Sequence, residues 1–217
     1  MLLWWLEKKY NNFFNNYKTI YMGELRFFNL TDSIKDYDLT VFIETGTGQG
    51  GSVESILCYD KIEHIYSIEI IKELYDECVK KFEKYSNIKI INASSYDGLI
   101  ELLPTIPKHK NILFWLDAHF PGADFHFTSY EDTSNEKLRI PLESEIDLIY
   151  SLRKDCRDVF IIDDLRIYED GPYEAGNWDK RKELGGDGLD FIINKYASTH
   201  IIHKDFNHQG YLFLLPK

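Results

Sequence analysis

The chain has 217 residues, 44% of them hydrophobic and 15% aromatic, and a net charge of −11. That length suits one domain with a full core, and the composition excludes a disordered or low-complexity chain. The acidity argues against a nucleic-acid partner, which calls for a basic face; Lys80-Lys81 and the Lys180–Lys182 run read as solvated surface.

Residues 1–38 are rich in Asn, Tyr and Phe without a strong period, and predict one or two helices forming a cap over a cofactor crevice or a dimer contact. The opening apolar run, Met1 to Leu6, is too short for a membrane span or a secretory h-region. Cys58, Cys78 and Cys156 are widely separated, form no C-x-x-C pair and predict neither zinc nor disulfides. They are expected to be reduced and mostly buried, which suits the cytoplasm.

From residue 39 to 217 the pattern is regular. Strand-like runs at 41–45, 64–69, 88–92, 112–117 and 158–163 alternate with helical patterns at 51–59, 70–85, 96–103 and 142–154. A further helix over 187–197 precedes two strand-like runs, 200–203 and 211–215, joined by the turn-prone Asn207-His-Gln-Gly210. The expectation is an α/β fold: a doubly wound, mostly parallel seven-stranded sheet closed by an antiparallel C-terminal hairpin.

The first strand runs into Glu44-Thr-Gly-Thr-Gly-Gln-Gly-Gly-Ser52, a glycine turn opening a helix. Its glycines allow positive φ and close approach to a ligand, and Gly46-x-Gly48-x-x-Gly51 matches the dinucleotide fingerprint. A carboxylate at the strand's end, Glu44, would repel a pyrophosphate and suits the amino group and sulfonium of S-adenosylmethionine. Glu69 ends the second strand, where an acid accepts from ribose hydroxyls. After the third strand, Ser95 could meet the base, or Ser94 and Ser95 could serve only as helix caps.

The fourth strand ends in Asp117-Ala-His119 and the fifth in Asp163-Asp164. Parallel strands bring these ends together, and a divalent cation (Mg²⁺ or Mn²⁺) on Asp117, Asp163 and Asp164 would relieve their mutual repulsion. Such an ion would orient and acidify a hydroxyl, with His119 as general base and Asp117 also available to the cofactor. His126 and Arg139 are secondary candidates. Two long connections, 118–140 and 165–184, leave the carboxyl ends of central strands and read as substrate loops. Their aromatics and acids suit a polar organic substrate.

These motifs resemble class I S-adenosylmethionine-dependent methyltransferases: Glu44-Thr-Gly-Thr-Gly resembles the first motif and Glu69 the ribose-binding acid. The acid followed by an acid pair is also similar to metal-dependent O-methyltransferases of the catechol and macrocin/mycinamicin types. That resemblance implies a cofactor site of Glu44, Thr45, Gly46, Thr47, Gly48, Gly51, Ser52, Glu69, Ser95 and Asp117, and metal ligands Asp117, Asp163 and Asp164. It implies methylation of a hydroxyl on a sugar or sugar nucleotide, as in a surface glycan precursor. The catechol enzymes carry Asn where this chain has Asp164, which moves it toward the sugar-modifying group. The rival readings are a phenolic or other small-molecule acceptor and an NAD-dependent oxidoreductase.

Overall fold

The computed structural model describes residues 25–131, 136–178, 182, 186 and 188–217. Its core is one seven-stranded sheet with strands β1 (Leu39–Thr45), β2 (His64–Glu69), β3 (Ile88–Asn92), β4 (Asn111–Leu116), β5 (Val159–Ile162), β6 (His200–Asp205) and β7 (Tyr211–Pro216). They lie in the order β3-β2-β1-β4-β5-β7-β6. β1 to β5 are parallel, and β7 runs antiparallel between β5 and β6. The strand order reverses at β1 and β4, the switch point where open α/β sheets bind ligands.

After Asn111 at its start β4 is apolar throughout, as is β5, because both faces of these central strands are covered. Along β4, Ile112, Phe114 and Leu116 face one core cluster while Leu113 and Trp115 face the other. β5 and β7 alternate in the same way. The helices Ser95–Leu102, Leu142–Arg153 and Asp190–Tyr196 cover the first face, and Gly51–Ile56 and Lys72–Phe82 cover the second. Helix Lys72–Phe82 buries Leu74, Cys78 and Phe82 at four-residue spacing, as its sequence period predicts. Burial of Leu74 and Phe82 contributes about 1.5–3 kcal/mol each.

The strand and helix expectations hold to within a few residues at each end. A short helix, Glu136–Arg139, lies inside the first long loop, where none was expected. Of the N-terminal segment, residues 25–37 form a 3-10 turn and the helix Thr31–Asp36, with Leu25, Phe28, Leu30, Ile34 and Tyr37 packed on the second face of the sheet. Phe28 meets Tyr211 and Phe213 edge-on. This part of the segment is packed on the sheet and does not line the crevice; residues 1–24 lie outside the described residues. All three cysteines are free thiols, but only Cys78 is buried, whereas Cys58 is exposed. Among the described residues no helix is long and apolar enough to cross a membrane.

Candidate active site

At the carboxyl ends of β1, β2, β4 and β5 lies a cavity of about 360 Å³, within the usual range for small-molecule sites. One wall is the glycine turn. Gly46 (φ +85°) hydrogen-bonds through its N–H to Ile68 and lies so close to the Asp117 carbonyl that an added Cβ would sit 2.6 Å from that oxygen. Gly50 (φ +78°) lies against the Phe82 ring, with no room for a methyl group. Gly51, the third glycine of the fingerprint, has open space at its Cβ and no positive φ. The steric demand thus falls one residue earlier than the fingerprint places it.

Glu69 stands in the cavity wall, 5% exposed. Its Oε2 accepts from the Gly48 N–H at 2.9 Å and its Oε1 from the Ile71 N–H at 2.8 Å. Burial raises the pKa of this carboxylate, on which the backbone N–H groups of Ile70 and Thr47 also act. Thr47, Gly48, Gly51, Ser52 and Ser95 also line the cavity. The Ser94 hydroxyl caps the helix Ser95–Leu102 by accepting from the Asp97 N–H at 3.1 Å. Both serines line the cavity, and Ser95 is the more buried of the two.

Glu44 and Thr45 are placed differently from their expectation. They are 1% and 0% exposed and lie behind the cavity wall, not at its lip. β1 is covered on both faces, so its last side chains turn into the core. The Ser67 hydroxyl donates to Glu44 Oε2 at 2.5 Å and shares a 2.6 Å hydrogen bond with Thr47. Burial pushes the Glu44 carboxyl up to about 8, so it is largely uncharged at neutral pH and is no counter-ion at the rim.

The floor is the acid–imidazole cluster. His119 Nδ1 lies 3.3 Å from Asp117 Oδ1, and its Nε2 lies 2.9 Å from Asp164 Oδ2. Asp163 Oδ1 accepts from the Asp164 N–H at 2.8 Å. Asp164 adopts φ +55°, a strained value for a non-glycine residue that aims its carboxylate at the ring. Burial alone would lower the His119 pKa, yet the Asp164 hydrogen bond and the charges of Asp164, Asp117 and Asp163 push it up to about 10. These acids favour the imidazolium form of His119, which runs against the expected role of free base. Burial, and then the charge of Asp164, pushes Asp163 up to about 7; burial and Asp163 raise Asp117 well above the carboxylate range.

The three aspartates do converge, but around a ring. Among the described residues no three His, Cys, Asp or Glu side chains form a group that could hold a metal ion. Their chemistry suits a hard cation, but the imidazole stands between Asp117 and Asp164, so the arrangement does not fit a chelate.

Both long loops contribute to the cavity. Phe120, Tyr130 and Trp178 form an aromatic corner, with Phe120 and Trp178 stacked at 4.9 Å and Tyr130 edge-on to Trp178. The Arg166 guanidinium lies 5.3 Å over Trp178, and its Nε donates to Asp164 at 3.1 Å. Arg139 is buried behind this corner, donating to the Tyr130 carbonyl at 2.5 Å and lying over Phe120. His126 lies apart, beside a separate depression with Thr128 and Ser129. Arg166 and Gln209 were not singled out from sequence. Gln209 reaches the cavity because the hairpin turn binds back to the end of β5, Leu165 N–H to the Gly210 carbonyl and Arg166 N–H to Gln209. Their positions carry no local motif.

The sheet order, the glycine turn, the acid at the end of β2 and the terminal hairpin together define a class I methyltransferase fold. Comparison with solved structures agrees. A Bacillus cereus O-methyltransferase in complex with S-adenosylhomocysteine superposes with a TM-score of 0.56 at 11% identity, covering 87% of this chain and 79% of that one. The Streptomyces achromogenes O-methyltransferase TomG, of tomaymycin synthesis, gives 0.56 at 12% identity over 87% and 78%. A Staphylococcus aureus protein provisionally named a caffeoyl-CoA O-methyltransferase gives 0.57 at 11% over 100% and 91%. Among curated proteins, a protein-L-isoaspartate O-methyltransferase of Thermosipho melanesiensis is 37% identical over 73 residues, 33% of this chain. The match spans only about a third (36%) of that relative's length. No model of a protein family matches the chain.

Proposed function

We propose that the chain is an S-adenosylmethionine-dependent O-methyltransferase acting on a hydroxyl of a sugar or sugar nucleotide. One observation carries the reading: a single cavity joins the glycine turn and Glu69 to the acid–imidazole floor and the aromatic corner. The first part suits a nucleoside, and the last two suit a polyhydroxylated acceptor, whose ring faces stack on aromatics. The sugar-modifying resemblance supports that acceptor class.

In this reading Glu69 accepts from the ribose hydroxyls, and the backbone at Gly46 and Gly48 lies along the methionine portion. The acceptor oxygen forms a bond to the methyl carbon while the sulfur–carbon bond breaks, leaving neutral S-adenosylhomocysteine. The hydroxyl proton passes to a carboxylate of the floor. Asp163, raised to about 7, has the affinity that proton transfer near neutral pH requires, and Asp117 is its partner. His119 holds Asp117 and Asp164 in place and supplies the charge that keeps the cluster compact. Near-attack positioning supplies the main rate advantage. A divalent ion, if bound to the same carboxylates, would acidify the hydroxyl, and no step above depends on it.

The test is calorimetry with S-adenosylhomocysteine, with and without Mg²⁺ or Mn²⁺, on wild type and Asp163→Ala, followed by methyl-acceptance assays on sugar nucleotides and phenols. Nucleoside binding by both proteins and methyl transfer by wild type alone are expected. A metal signal lost in Asp163→Ala would add the ion to the site. Binding of a nicotinamide dinucleotide in place of S-adenosylhomocysteine would replace the reading with an oxidoreductase.

A further inference from the structure

Behind the nucleoside end of the cavity lies a carboxylate that the mechanism above does not use. Glu145, in the first turn of the helix Leu142–Arg153, is 1% exposed, and both of its carboxylate oxygens lack a hydrogen-bond partner of ordinary geometry. The polar groups beside it are the hydroxyls of Ser95 and Thr45. Thr45 Oγ1 is likewise buried and without a partner of ordinary geometry. Two orphaned polar groups side by side in a core are costly unless they serve each other or something nearby. Ser95 links them to the ligand space, because it is the one of the three that lines the cavity. The helices that carry Ser95 and Glu145 pack directly on one another.

We infer that Glu145 is a positioning residue that fixes Ser95 as a hydrogen-bond acceptor and so selects a base bearing a 6-amino group. The inference rests on the methyl-donor reading above. A hydroxyl has one proton and two lone pairs. Glu145 offers two acceptor oxygens to two hydroxyls, so it takes the proton of Ser95 as well as that of Thr45. Ser95 Oγ then presents lone pairs alone to the cavity. Adenine can donate to them through its exocyclic amine, whereas a 6-oxo purine presents an oxygen there and meets acceptor against acceptor. Burial pushes the Glu145 carboxyl up to about 7, while the two hydroxyls and the charge of His119 act to keep it ionised.

Calorimetry at pH 8, above the pKa of about 7 to which Glu145 is raised, with S-adenosylhomocysteine and its 6-oxo analogue S-inosylhomocysteine tests this on wild type, Glu145→Gln and Ser95→Ala. Wild type is expected to prefer the amino form by about tenfold or more, the scale of one hydrogen bond in a closed site. Glu145→Gln keeps the shape but offers one donor and one acceptor, which frees Ser95 to turn its proton outward. The preference should then fall about tenfold, and Ser95→Ala should erase it. Packing damage alone would weaken both ligands equally and leave the ratio intact. An unchanged ratio in both variants overturns the role of Glu145 while leaving the methyl-donor reading standing. Wild type that binds neither ligand overturns both. If Glu145→Gln fails to fold by circular dichroism, the ratio for Ser95→Ala and Thr45→Val decides the matter.

Discussion

At the scale of single residues, the glycine turn separates two positions that sequence alone treats as equals. Gly46→Ala would force a Cβ to 2.6 Å from the Asp117 carbonyl at φ +85°, whereas Gly51→Ala meets nothing within 4 Å. Gly46→Ala is expected to abolish S-adenosylhomocysteine binding or lower the melting temperature sharply. Gly51→Ala should bind within about threefold of wild type and gain slightly in helix stability, since alanine is the better helix former by about 1 kcal/mol. Calorimetry and a thermal melt on the pair check both. His119→Ala removes the cation between Asp117 and Asp164. Methyl transfer is expected to fall by about 10²-fold or more while nucleoside binding changes little, since loss of a positioned charge acts on the chemical step.

At the scale of elements, β4 and β5 are locked at their N-terminal ends by one buried ion pair. Arg153 donates to both oxygens of Asp158 at 2.8 and 2.9 Å and to the Lys110 carbonyl, and Asp158 accepts from the Ile112 N–H. Both side chains are almost fully buried. Arg153→Ala would strand the Asp158 charge, at a cost of about 3–5 kcal/mol. A drop in melting temperature of roughly 6 °C or more is expected, and a smaller one for Arg153→Met paired with Asp158→Leu. The strands and most helices were legible because alternation and four-residue periods leave a local trace. The Arg153–Asp158 pair, Glu145 and Gln209 were not, because each acquires its role from an element distant in sequence. Glu69 was legible because a strand-end acid keeps a fixed spacing from the turn. Glu44 was misplaced for a related reason: the strand's apolar run does not tell which of its last side chains turns inward.

At the scale of the whole molecule, the buried acids set the direction in which stability changes with pH. Glu44 and Glu145 are pushed up to about 8 and about 7 by burial. In the unfolded chain such groups titrate near 4.3. The folded state therefore holds protons that the unfolded state has released, and their contribution is complete below about pH 4 and is lost as pH rises through 7 and 8. His119, raised to about 10, extends the decline to higher pH. The melting temperature is expected to fall by about 4 °C or more from pH 6 to pH 9, and Glu44→Gln should flatten the slope. A melting temperature that rises over this range would contradict the buried-acid assignment.

The position of β7 has a kinetic consequence. Because it lies between β5 and β6, β6 joins the sheet only through β7, and the edge of β5 stays open until β7 docks on it. Until then Val159–Ile162 is an apolar strand with an unpaired edge, the kind of surface on which chains associate. Refolding from denaturant should therefore lose yield as protein concentration rises. A charged substitution at exposed Ile100, remote from that edge, should leave the loss unchanged.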